Sequence, residues 1–229
     1  GAMKNINLGL DLSGGVSITY QAVQENPSAE DMSDTRYKLE QRAYQYSTEA
    51  QVYQQGDNRI TIDIPGATDA NEILTELGKP GSLYFIAETD ADGNQNYVYD
   101  STVGNYVLNN KTLEDLQNDG SVVLTGQDLE NAEAVHQQDS TTQATTAAVQ
   151  LRLTDEGAEK FAAATEKAAE AGETIGIYYD GEFVSVPTVN DAITDGVASI
   201  SGSMDWEEAS NLAATLRIGG LSLELTPAM

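Results

Sequence analysis

No cysteine occurs in the chain, which excludes a disulfide framework and thiolate–metal sites. That absence is compatible with either side of a membrane. Histidine is nearly missing too, with His136 standing alone. No apolar run approaches the roughly 18 residues that a membrane-crossing helix needs, and no signal peptide is expected at the start. Positive charge is scarce: 11 basic residues face 37 acidic ones, for a net charge of −26. So acidic a surface repels phosphate backbones and anionic headgroups, which argues against nucleic acid and against direct membrane-surface binding. It suits solubility and a weak attraction for cations or basic polypeptides. A phosphate-binding loop is lacking as well, because Leu12-Ser13-Gly14-Gly15 has neither the lysine nor the following helix.

What chemistry remains is thin. His136 lies beside Gln137, Gln138 and Asp139 in a polar stretch that reads as an exposed loop. A nucleophile–histidine–acid arrangement needs an imidazole held in a formed pocket, and nothing local promises one. Glu88-Thr89-Asp90-Ala91-Asp92-Gly93 opens like a calcium loop, with oxygen ligands such as Asp90 and Asp92 at alternate positions and a glycine at the sixth. The bidentate glutamate expected at the twelfth position is instead Tyr99, so an acidic turn is the plainer reading. Adjacent acids such as Asp155-Glu156 and Glu207-Glu208 stand where helices begin, which favours capping over acid–base work. No enzyme, metal or cofactor is expected.

The organising stretch is Leu8-Gly9-Leu10-Asp11-Leu12-Ser13-Gly14-Gly15, which runs into an alternating strand, Val16 to Ala22. Asn26-Pro27-Ser28-Ala29-Glu30 carries helix-start chemistry, and the helix is predicted to reach about Ser47. Met32, Tyr37, Leu39, Ala43 and Tyr46 are its candidate apolar face. Ala50–Gln54 and Arg59–Ile64 read as strands around a Gly-Asp-Asn turn. Asp69 caps a second helix through Leu77, and Ser82–Ala87 is a fourth strand. The order β-α-β-β-α-β is the ferredoxin-like pattern of an α+β fold.

From Glu88 to Gly126 the chain is polar and dotted with tyrosine. Tyr97–Tyr99 and Tyr106–Leu108 suggest a hairpin, Thr112–Leu116 a short helix, and Ser140–Thr146 a loop. Order is expected again at Ala147–Leu153, followed by a helix to Ala171. Thr174–Tyr179 and Glu182–Val186 form a hairpin around Asp180-Gly181. Val197–Ser201 is a strand, Asp205–Ile218 a helix ended by Gly219-Gly220, and Leu221–Leu225 a last strand. Two lobes result: a base of 4–87 plus 221–229, and a head of 88–220 whose first part, 88–147, is an irregular insertion. Residues 1–3 read as the remnant of tag removal. Gly219 and Gly220 are a helix cap and also candidate hinge residues between the lobes.

Several of these stretches carry a resemblance. Leu8-Gly9-Leu10-Asp11 with Gly14-Gly15, then Val149–Ala158, Tyr179–Pro187, and Ile200-Ser201-Gly202 with Leu216–Leu221, resemble in that order the SecD family. These are membrane-bound accessory subunits of the protein-export translocase. The family usually has arginine where this chain has Ser13, so no role for a positive charge there carries over. Residues 88–147 resemble nothing named. The resemblance implies the large extracytoplasmic domain between the first two membrane helices, at the outer face of the bacterial cytoplasmic membrane. The membrane would then be reached only through helices outside this stretch. It implies, as partners, unfolded exported polypeptides and, through the full-length protein, SecF and the protein-conducting channel. Proton-motive force would help complete export while the head moves on the base. The side chains chosen for polypeptide contact are Ile177, Tyr179, Phe183 and Val186 of the head hairpin, with core packing as the alternative. A scaffold that never touches substrate, and a calcium-dependent surface module, are the other readings.

Overall fold

The computed structural model describes residues 14–228, and residues 1–3 and most of the opening signature, Leu8 to Asp11 included, lie outside them. The chain is a mixed α/β protein of several sheets, divided into two units. The first holds residues up to 81 and from 220 onward; the second is Ser82–Gly219.

The first unit begins with β1 (Gly15–Ala22), α1 (Ala29–Ala43), β2 (Gln51–Gln55), β3 (Arg59–Pro65) and α2 (Ala70–Leu77). The second carries β4 (Leu83–Ala87), β5 (Tyr97–Asp100), β6 (Asn105–Leu108), α3 (Leu113–Asn118), β7 (Val122–Thr125) and β8 (Leu129–Gln138). It continues through β9 (Thr145–Leu153), α4 (Asp155–Ala171), β10 (Ile175–Tyr179), β11 (Glu182–Ser185), β12 (Val197–Met204) and α5 (Trp206–Ile218). The chain then returns to the first unit with β13 (Leu225–Pro227).

In the first unit an antiparallel sheet runs β13-β1-β3-β2. Its register places Val16 opposite Ile64, Ile18 opposite Ile62 and Tyr20 opposite Ile60. These period-two positions form one buried face with Met32, Leu39 and Ala43 of α1 and Ile73, Leu74 and Leu77 of α2. Polar pairs take the other face: Ser17 Oγ donates to Asp63 at 2.6 Å, and the Thr19 and Thr61 hydroxyls meet at 2.8 Å. Gly15 is required where β1 meets β3, since a Cβ there would stand 2.9 Å from the Ile64 carbonyl oxygen. Buried Arg42 donates to the carbonyls of Leu77 and Lys79 and so completes the end of α2.

The strand expected at Ser82–Ala87 corrects the base assignment. β4 leaves the first sheet for the second unit, where it lies between β10 and β7. Phe85 and Ile86 are adjacent and both buried, so β4 needs cover on both faces. The place beside β1 goes instead to β13, where Tyr20 faces Pro227. The last strand is displaced from Leu221–Leu225 to Leu225–Pro227, although Leu221 and Leu223 still turn into the core. Helix α1 also ends early, capped by Tyr44, so Tyr46 falls outside it. Tyr37 and Tyr46 are exposed, not core.

The second unit contains the sheet β11-β10-β4-β7, the sheet β12-β9-β8 and the hairpin β5-β6. Residues 88–147, expected to be irregular, hold β5 to β8 and α3. Their order rests on side-chain caps: Thr112 and Asp115 form a capping box at α3, and Thr125 and Asp128 another before β8. The larger core joins Phe85 of β4, Val149 and Leu151 of β9, Phe161 of α4, Ile177 of β10, and Ala209 and Ala213 of α5. A smaller core holds Ile86, Tyr97, Leu116 and Phe183.

Candidate functional site

The hairpin chosen from the sequence is present, turning at Asp180 and Gly181, which both have positive φ. Its apolar side chains do not form a surface. Ile177 is 2% exposed and belongs to the larger core, against which Tyr179 also packs. Phe183 is 4% exposed and belongs to the smaller core, with Val186 packed on it. The physical reason is that β10 lies between β4 and β11 with a core on each face. Ile177 and Phe183 are thus core residues with no surface for a bound chain to touch, while Tyr179 and Val186 are half-buried beside them.

An exposed apolar surface lies one layer further out, on the β5–β6 hairpin. Tyr97 packs against Phe183 with ring centroids 4.8 Å apart, and against Tyr106 at 5.8 Å and 86°. Tyr99 meets Tyr106 edge-on at 5.5 Å, directly opposite it in register. Tyr178 closes on Phe183 at 4.9 Å from below. Such edge-to-face contacts suit the ring quadrupole and fix each ring against its neighbour. The ladder therefore runs from a buried phenylalanine to Tyr99, 59% exposed, with Val103 at the hairpin turn 63% exposed. Tyr97 shares its hydroxyl with Thr174 Oγ1 at 2.7 Å, and burial pushes that phenol well above its ordinary range. Asn105 Nδ2 donates to the Phe183 carbonyl at 2.9 Å, tying the hairpin to β11.

A half-buried lysine braces the approach to this hairpin. Lys111 Nζ donates to Asp90 Oδ2 at 2.8 Å and Asn96 Oδ1 at 2.6 Å, with Asp119 at 3.6 Å. Asp90 Oδ1 accepts from the backbone N–H groups of Asp92 and Asn94. The Lys111 ammonium and these backbone donors hold the Asp90 carboxyl far below the usual range. The calcium candidates thus lie in a turn whose acid already has a cation, and no cluster of metal-ligand side chains is found among the described residues.

The other sequence candidates are dispersed. Gly14 (φ 77) precedes β1, and its carbonyl accepts from the Gly66 N–H at 2.8 Å. Gly219 caps α5 with φ 93 and ψ 170, and the Gly220 carbonyl accepts from Lys38 Nζ at 2.7 Å. His136, expected in a loop, is in β8 with its ring stacked on Trp206 at 4.3 Å and 17°. A cleft of about 700 Å³ lies along β7 and the start of α4, but its Asp128, Glu156 and Lys160 pair with one another. The hairpin itself was expected from the sequence, but its tyrosines were not singled out as candidate contact residues. Their signal was period two: Tyr97 and Tyr99 share a face, and Tyr106 follows on the return strand.

The family model described as the SecDF P1 head subdomain matches residues 102–223, and that of the SecDF P1 domain N-terminal part matches 33–90. The chain belongs to the SecD/SecDF family of protein translocase subunits, as a P1 domain. Residues 102–147, which resembled nothing from sequence alone, fall inside the head match. SecDF of Thermus thermophilus is 35% identical over 96% of this chain and 30% of that protein. SecD of Acidaminococcus fermentans is 31% identical over 97% of this chain and 46% of that protein. The chain thus spans less than half the length of these relatives. A crystal structure of SecDF in a super-membrane-facing form superposes with a TM-score of 0.72 at 31% identity, covering 98% of this chain and 31% of the other. A second structure, of the membrane component SecDF that enhances protein export, gives 0.69 at 28% identity, covering 93% and 98%. No helix of the described residues is long and apolar enough to cross a membrane.

Proposed function

We propose that this domain takes hold of an unfolded, exported polypeptide at the extracytoplasmic face of the cytoplasmic membrane and hinders its return. The exposed aromatic ladder of the β5–β6 hairpin carries the reading. Tyr99, Tyr106 and Val103 offer a shallow, apolar, sequence-tolerant patch, and tyrosine gives contact area at small entropic cost because its ring has few rotors. The relatives' description as translocase subunits, and of one as enhancing export, supports the same direction.

In this proposal the chemistry is binding and release, not catalysis. SecF and the protein-conducting channel would be partners of the full-length protein, and proton-motive force would act through parts outside this chain. The sheet order β13-β1-β3-β2 supports a ferredoxin-like base in which β13 stands for the fourth strand. Motion of head on base is proposed at the two crossings, Gly81 to Ser82 and Gly219 to Gly220. Each has a glycine in positive φ, 67° at Gly81 and 93° at Gly219, where a small backbone change costs little.

The test is site-specific photo-cross-linking from position 99 in the full-length protein during export. Adducts between the exporting chain and position 99, absent from an exposed control such as position 53 on β2, support the reading. Adducts at neither position would leave the domain a scaffold.

A further inference from the structure

β8 is an edge strand of 10 residues, paired only with β9 among the described residues. Two contacts tell which of its backbone groups face outward. The Asp139 N–H donates to the Ala144 carbonyl at 2.8 Å, continuing the β8–β9 ladder. By the alternation of an antiparallel pair, Gln137, Val135 and Glu133 also turn toward β9. Ala132, of the opposite parity, gives its carbonyl to Arg217 Nη1 at 2.6 Å. Ala134, His136 and Gln138 therefore present their N–H and C=O groups away from the sheet, and Arg217 marks where that open row ends.

Natural edges are usually blunted by lysine, proline or a bulge. β8 contains neither residue, and its register shift falls between Leu129 and Asn131, leaving 132–138 regular. The two faces beside the open row differ. On one, His136 stacks on Trp206, which is 47% exposed. On the other stands exposed Glu133, beside Gln150 and Arg152 of β9. Exposed Asp205 and Glu207 flank Trp206 in sequence.

We infer that the outer edge of β8 is a strand-addition site for an extended polypeptide that alternates apolar and basic residues. Backbone pairing with Ala134, His136 and Gln138 supplies the affinity, as in other strand-addition complexes. Residues opposite Ala134 and His136 fall on the Trp206 face and are apolar; the residue opposite Glu133 is basic. A second copy of the chain is disfavoured as the occupant by its own net charge of −26. The inference shares only its ligand class with the reading above, because the β5–β6 hairpin is a different surface.

The probe is a nine-residue peptide of alternating lysine and valine, added to the labelled domain. Binding is followed by amide hydrogen exchange and by fluorescence of Trp206, the chain's sole tryptophan. Without peptide, the amides of Ala134, His136 and Gln138 exchange freely while those of Val135 and Gln137 are protected; saturating peptide protects the first set. N-methylation of one alternate set of peptide nitrogens weakens binding at least tenfold, and methylation of the other set leaves it within about twofold. Equal binding of both methylated peptides overturns the inference, as does protection of β8 that rises with protein concentration in the absence of peptide. Protection at β8 is scored separately from shifts at Tyr99, so either surface can fail alone.

Discussion

Gly176 lies under the ring of Phe183: a Cβ on that glycine would stand 2.5 Å from Phe183 Cε1 and 3.0 Å from Tyr97 Cε1. The smaller core of the head is therefore built around a missing side chain in β10. Replacing Gly176 with alanine pushes both rings outward and costs about 1–3 kcal/mol, the usual range for overpacking. Urea denaturation checks this, and a wild-type midpoint would mean the rings move freely.

Phe183 and Tyr99 occupy opposite ends of the same ladder and should separate stability from binding. Phe183→Ala empties a buried site and lowers stability by about 3–5 kcal/mol. Tyr99→Ala, at a position 59% exposed, changes stability by no more than about 0.5 kcal/mol. Yet it weakens unfolded-polypeptide binding severalfold, measured by fluorescence anisotropy of a labelled unfolded chain. Unchanged binding in Tyr99→Ala would remove the hairpin from the account.

The Lys111–Asp90 pair gives the head a defined acid sensitivity. Asp90 is depressed in the folded state, first by its bond to Lys111 and then by the Asn94 N–H. The unfolded chain therefore binds that proton more readily, and stability from this group is full above about pH 4 and is lost as pH falls below it. Lys111 is raised, first by Asp90, so its share is lost only in strong base. Lys111→Met should lower the thermal midpoint at pH 7, with the gap to wild type closing below about pH 3. A gap independent of pH would assign the loss to packing.

The same turn makes a prediction about calcium. Both oxygens of Asp90 already accept hydrogen bonds, one set from Lys111 and Asn94, the other from backbone N–H groups. Millimolar calcium and chelator should give melting temperatures within about 1 °C, whereas a bound ion stabilises by mass action. A rise of several degrees with calcium would revive the metal-module reading.

Much of the fold was legible because its signals are local. Isoleucines 60, 62 and 64 alternate, Asp69 caps one helix, Asp205 opens another, and Asp180-Gly181 turns a hairpin. Strand partnership was not legible, since β4 satisfies the local pattern of the base while pairing with β10, about ninety residues later. β8 was missed because Glu, Asn, Gln and Ala dominate it, and its partner supplies the hydrophobic face. The site suffered from the opposite fault. Ile177 and Phe183 looked like good contact residues for being apolar, and that property is what buried them.

The head is proposed to grip an unfolded chain through the β5–β6 aromatic surface. NMR titration of the labelled domain with an unfolded, export-competent polypeptide, at low and high salt, tests it most directly. Shifts clustered on residues 97–108 that persist at high salt are expected, because apolar contact is little screened. Shifts that vanish with salt, spread over the acidic surface, or spare the hairpin altogether would contradict the proposal.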